Sequence, residues 1–181
     1  MRERLDARLH ALGAAAFPHL NGTLEAHLHG TERLLRQWGS RDAVCTAGLY
    51  HAVYGTDGIA GCLTGLDARE ALARVIGNEA ESLVYLYGAC DRERFHPRIG
   101  TPAQNTFVDR FAAREYAIDA ATLCDFCEIT VANELDLALG NPGFARRHAE
   151  ALLELFARMR GLASAAAQQA AFDMLSRATE R

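Results

Sequence analysis

The chain contains no lysine: its nineteen basic residues are all arginine. That absence excludes a Schiff-base lysine and the lysine of a phosphate-binding loop, while guanidinium groups remain for holding anions. No run is long and apolar enough to span a bilayer, so no membrane partner is expected. Positive charge is not in excess either. The formal net charge is −4, which gives no electrostatic reason to expect nucleic acid. The apolar stretch near the start is interrupted by Asp6, Arg8 and His10, so it reads as an amphipathic helix and not as an export signal. Five cysteines, an odd number, then point to reduced thiols in a cytoplasm. Alternating apolar and polar runs, internal repeats and linkers are missing as well.

What is present is helical periodicity. Half of the 181 residues are hydrophobic, enough for one domain over 1–181 with its own core. Leu5, Leu9 and Leu12 mark an amphipathic helix over 2–15. Leu24, His27, Leu28, Leu34 and Leu35 recur at three- and four-residue steps over about 21–38. Gly39 and Ser40 separate that helix from one over about 41–54, apolar nearly all round and expected to be central. Residues 55–66 form a glycine-bearing loop without the order of a phosphate-binding fingerprint. A helix follows over about 67–87, with Gly77 marking a break. Residues 90–105 are a polar excursion of the kind that covers a site. Further helices are predicted at about 106–120, 121–139, 142–160 and 164–179, with Asn141-Pro142 separating the second of these from the third. The fold class read from this pattern is all-α, a single helical bundle of seven or eight helices. The alanine-rich stretch at 162–171 is a helix-packing surface and a possible homodimer contact.

Two histidines stand out, His27 on one predicted helix and His51 on the next. Facing helices that each point an imidazole into one cleft are a way to hold a divalent ion. His51 and Tyr54 lie three apart, as residues sharing a helix face do, and His27 and Thr31 share a face where Gly30 leaves space. Arg69 and Arg74 offer bidentate contacts to a carboxylate or phosphate. Of the other histidines, His29 is expected on the surface, and His10, His19, His96 and His148 as solvated or capping residues. His96 stands apart because its loop can close over a site. Cys124 and Cys127 form a CxxC without a second pair for zinc or the strand-to-helix context of a redox site, and read as core thiols.

The order His27, then AGLYHAVYGTD at 47–57, IGNEAESLVYL at 76–86 and ANELDLAL at 132–139 resembles the HD-domain superfamily, in particular the hydrolase domain of the stringent-response (p)ppGpp enzymes. The resemblance implies an HD-like helical fold in which the first histidine, a His-Asp pair and a distant aspartate ligate one metal. His27 and His51 match the two histidines. Ala52 stands where the paired aspartate belongs, Asn133 where the distant one belongs, and Gly55 and Thr56 where an acidic pair would activate water. The sequence is more similar to an HD-like group in which His-(Ala/Ser)-x-Tyr-Gly-Thr replaces the usual motif.

Loss of those acids disfavours a hard ion such as Mg²⁺, which wants oxygen ligands and neutralising charge. The expectation is therefore an enzyme with no metal, or with one divalent ion. It would act on a small polar or anionic metabolite by hydrolysis or by histidine acid–base chemistry of a lyase or isomerase. His27, His51, Tyr54 and Thr56 are the candidate catalytic residues. Thr31, Arg69 and Asn133 are candidates for substrate binding. One alternative is a non-catalytic small-molecule-binding protein. Another is a Zn²⁺ or Fe²⁺ enzyme in which His27, His51 and Asp136 hold the ion, Glu79 and Glu81 being further candidate donors.

Overall fold

Thr23 fixes the start of the helix that carries the first histidine: its hydroxyl accepts a hydrogen bond from the Ala26 amide at 3.2 Å, satisfying one of the free donors of the first turn. In the computed structural model, which describes residues 2–179, that helix is α2 (Leu24–Gln37). It follows α1 (Arg2–Ala11) and a two-residue-per-strand hairpin of β1 (Pro18–His19) and β2 (Gly22–Thr23). Then come α3 (Asp42–Tyr50), α4 (Arg69–Ile76), α5 (Asn78–Ala89) and the single turn α6 (Arg92–Phe95). A second hairpin, β3 (Thr106–Asp109) and β4 (Arg114–Ala117), precedes α7 (Ala120–Gly140), α8 (Pro142–Arg158) and α9 (Ala165–Thr179). The chain is mainly helical.

Its centre is formed by α3 and α7. Every residue of α3 from Val44 to Tyr50 is buried, and α3 packs on α2, α5 and α7. The Tyr50 hydroxyl donates to the Leu5 carbonyl at 2.6 Å, tying α3 to α1. Asp119 caps α7 through the Thr122 amide at 2.7 Å. At its other end Asn141 accepts from the Phe144 amide at 2.9 Å and begins α8, with Pro142 in the first turn. Gly77, at φ 91°, separates α4 from α5, a conformation open to glycine but not to residues with a β-carbon. Ala163, Ala167 and Ala171 are buried within the chain itself, on the side where α9 packs on α7 and α8.

Two predictions from periodicity are corrected. The helix expected over 106–120 is the β3–β4 hairpin, with Phe107 opposite Tyr116 and Val108 opposite Glu115. Phe107, Val108 and Asp109 are consecutive and all buried, because β3 is covered on both faces. The alternation that identifies a half-exposed strand is therefore missing. The Asp91 amide to the Val108 carbonyl, 3.0 Å, and the Arg110 amide to the Ala89 carbonyl, 2.8 Å, hold β3 against the end of α5. The first helix also ends earlier than expected, at Ala11, with Gly13 at φ 86° turning the chain.

Candidate active site

Three elements bring imidazoles together. His27 comes from the second turn of α2, His51 from the residue that ends α3, and His19 from β1. The His19 and His27 rings stack with centroids 4.4 Å apart, and His51 meets His27 edge-on at 5.2 Å. The α7 residues Asn133, Glu134 and Asp136 face them. The three histidines, Asn133 and Glu134 line a chamber of about 190 Å³ bounded also by the loop after α3, by Arg92 and by Phe144.

Hydrogen bonds decide what each ring can do. His27 Nδ1 lies 2.7 Å from Asp136 Oδ2, and its Nε2 lies 3.0 Å from Asn133 Oδ1. The Asn133 amide is oriented by its own Nδ2, which donates to Glu134 Oε1 at 2.9 Å. Both partners of His27 are thus acceptors, so both ring nitrogens donate, the hydrogen-bond pattern of an imidazolium. Gly30, one turn on in α2, makes this possible: a β-carbon there would overlap the Asp136 carboxylate. His51 is the opposite case. Its Nδ1 donates to the Gly48 carbonyl at 2.8 Å, which leaves a lone pair on Nε2, and Nε2 has no protein hydrogen-bond partner among the described residues. Burial first, then the charge of His27 and of Arg92, holds His51 well below the ordinary imidazole range, against the pull of the Gly48 carbonyl. It is a neutral acceptor at the chamber wall. His19 is pushed down to about 4, by burial and then by His27.

The sequence-based candidates divide. His27, His51, Thr56 and Asn133 line the chamber, and Asp136 reaches it through His27. Tyr54 does not: its hydroxyl donates to Glu81 at 3.0 Å, because the chain leaves helical geometry after Tyr50 and the three-residue spacing no longer puts Tyr54 beside His51. Arg69 is bound to the same carboxylate, Nε at 2.7 Å and Nη2 at 2.9 Å, so it is part of a buried ion cluster behind α3. Arg74 is exposed on α4. Thr31 turns back to the His27 carbonyl at 3.1 Å, a bond internal to α2. Glu79 pairs with Arg41. Cys127 is buried and Cys124 half-buried, both as free thiols whose ionisation burial opposes.

Three site residues escaped the sequence reading. His19, expected to be solvated or capping, stacks on His27. Arg92 and Glu134 form the far wall, with Arg92 Nη1 3.7 Å from Glu134 Oε1 and Arg92 Nη2 donating to the Tyr87 hydroxyl at 3.1 Å. The Arg92 backbone amide also binds Asp57 at 3.0 Å, anchoring the loop after α3. The available signal was the placement of Arg92 in a polar excursion, and of Glu134 beside Asn133.

A divalent ion does not fit these donors as arranged. Asp136 sits behind His27, on its Nδ1, where a carboxylate orients an imidazole instead of sharing an ion with it. His27 Nε2 is taken up by the Asn133 amide, which brings no charge, and Ala52 brings no donor. Among the described residues no group of three His, Cys, Asp or Glu side chains converges in a metal-holding arrangement.

Residues 8–92, a little under half of the chain, match the model of a domain of unknown function, DUF6817. The matched stretch holds His19, His27, His51 and Arg92, and stops short of the α7 residues that complete the site. No curated protein and no solved structure matches the chain. No helix among the described residues is long and apolar enough to cross a membrane.

Proposed function

We propose that the chain is an enzyme on an HD-like helical scaffold whose site works without a metal, His51 accepting a proton from a small polar metabolite bound in the chamber. The observation that carries this reading is the free lone pair of His51 Nε2 at the wall of an enclosed cavity, with its tautomer set by Gly48. Support for the scaffold is the meeting of α2, α3 and α7 at His27, His51 and Asn133, the same order of pieces that the sequence resemblance implies. At about 190 Å³ the chamber is smaller than the roughly 300–1,000 Å³ of drug-sized ligand sites, so the substrate is small. Thr56 and Asn133 are positioning groups for the substrate's polar atoms.

A second reading, a binding protein without turnover, is favoured by one observation. A proton on His51 lies beside the charges of His27 and Arg92, which makes the ring a weak base.

His51→Asn separates the two. Its side-chain amide can replace Nδ1 as the donor to Gly48 while removing Nε2. Incubation of the full chain with a small-metabolite extract, followed by mass spectrometry, should show one metabolite consumed by the wild type and untouched by His51→Asn at nearly unchanged melting temperature. A metabolite that is retained but never converted establishes the binding protein instead. Equal consumption by both proteins removes His51 from the chemistry.

A further inference from the structure

Arg92 is a partly buried cation with few of its donors used. A guanidinium carries five N–H donors. This one has a side chain only 22 % exposed and makes one hydrogen bond from it, to the Tyr87 hydroxyl. Its nearest carboxylate, Glu134, stands at 3.7 Å, beyond hydrogen-bonding distance. Glu134 is held back because it accepts from Asn133 Nδ2 at 2.9 Å. A buried cation normally has its donors matched, and Arg92 has donors to spare at the place where space is open.

That place is a junction. Arg92, Glu134 and Phe144 belong both to the inner chamber and to a more open groove of about 540 Å³ between α6 and α8. His96 also lines the groove, and its buried Nε2 has no hydrogen-bond partner. Arg158, which also lines the groove, is bound to Glu154 and to the Pro97 carbonyl, whereas Arg92 faces both the groove and the chamber.

We infer that Arg92 anchors an anionic substituent, a carboxylate or a phosphate, of the ligand at the junction of chamber and groove, with the rest of the ligand extending toward His51. The planar fork of the guanidinium matches two oxygens of either group. This deepens the proposed function by naming a substrate class. It rests on the chamber being a binding site and not on proton transfer by His51.

The test uses the full chain with two probes, inorganic phosphate and malonate, titrated at constant ionic strength against chloride while melting temperature and heat of binding are followed. The expected result is saturable binding of at least one probe, kept by His51→Asn. Arg92→Lys, which keeps the charge and loses the fork, should weaken it about tenfold or more. Phosphate alone, or malonate alone, binding in this way identifies which anion the ligand carries. Arg92→Gln strands Glu134, so where that variant fails to fold, Arg92→Gln/Glu134→Gln is the one to measure, and it should not bind. No saturable effect of either anion beyond chloride, or undiminished binding by the double variant, overturns the assignment. Loss of turnover in His51→Asn with anion binding intact separates failure of the chemistry from failure of the anchor.

Discussion

Gly30 on α2 and Asp136 on α7 fill a single volume between them. The β-carbon missing from one is replaced by the carboxylate of the other, which thereby reaches His27 Nδ1 at 2.7 Å. Helix interiors disfavour glycine by roughly 1 kcal/mol relative to alanine, so this glycine is kept at a cost that the His27–Asp136 pair offsets.

Gly30→Ala should therefore destabilise the chain by about 1–3 kcal/mol, the range for overpacking a filled interior. Asp136→Ala should cost about 1–3 kcal/mol, because it leaves the buried His27 Nδ1 without its hydrogen-bond partner. In the double variant the overlap is gone and alanine regains its helix preference, so the two losses should be far from additive. Urea unfolding of the four proteins in a double-mutant cycle checks this. Additive losses would mean that Gly30 and Asp136 do not share the space.

His96 gives a pH dependence of stability. In the unfolded chain it protonates near 6.5, and in the fold burial and then Arg92 hold it down to about 4, with Asp57 opposing. Between those values the unfolded chain binds more protons, so stability is full above pH 6.5 and falls as pH drops toward 4. The loss between pH 7 and pH 5 is about 2 kcal/mol from this group, and His19 adds loss in the same direction. His96→Gln should flatten the dependence by that amount in unfolding curves at the two pH values. An unchanged slope would mean His96 stays accessible to protons in the fold.

Much of the site was legible. Helix periodicity placed α2 and α3, and Asp136, expected as a metal ligand beside His27 and His51, is instead the hydrogen-bond partner of His27 Nδ1. The remainder depended on long-range packing that no local pattern records. His19 sits in a six-residue hairpin, Pro18 to Thr23, which reads as a turn, and only the stacking on His27 gives it a role. Arg92 lies 41 positions beyond His51, and it is the docking of α6 that carries it to the chamber. The Tyr54 expectation failed for a local reason: it assumed that α3 continued past Tyr50, and the chain turns there to begin the glycine-bearing loop. The β3–β4 hairpin was missed because a strand buried on both faces loses its period of two.

His51 should set an acid limb of the pH–rate profile below the ordinary imidazole value. Burial and the charges of His27 and Arg92 lower it, the Gly48 carbonyl raises it less, and His19 also faces it. The base form of His51 thus persists through neutral pH and below 6.5. kcat/KM followed from pH 8 downward should stay level through 6.5 and decline only at lower pH. His27→Gln, which removes the nearest positive charge, should move that limb upward. A limb at or above 6.5 in the wild type would assign the titration to some other group.

Tyr54 and Arg69 should matter for stability alone. Glu81, only 7 % exposed in its side chain, receives Tyr54 and both arms of Arg69, whose guanidinium lies 3.8 Å from the centroid of the Tyr85 ring. None of these residues lines the chamber. Tyr54→Phe removes one hydrogen bond to a charged group and should cost about 1–3 kcal/mol. Arg69→Ala leaves the Glu81 carboxylate buried without its cation and should cost more, about 3 kcal/mol, while Arg69→Ala/Glu81→Gln should recover part of that loss. Malonate and phosphate titrations of the folded variants should match the wild type. An Arg69→Ala protein that keeps its stability and loses anion binding would move the anion anchor from Arg92 to α4, and with it the whole placement of the substrate.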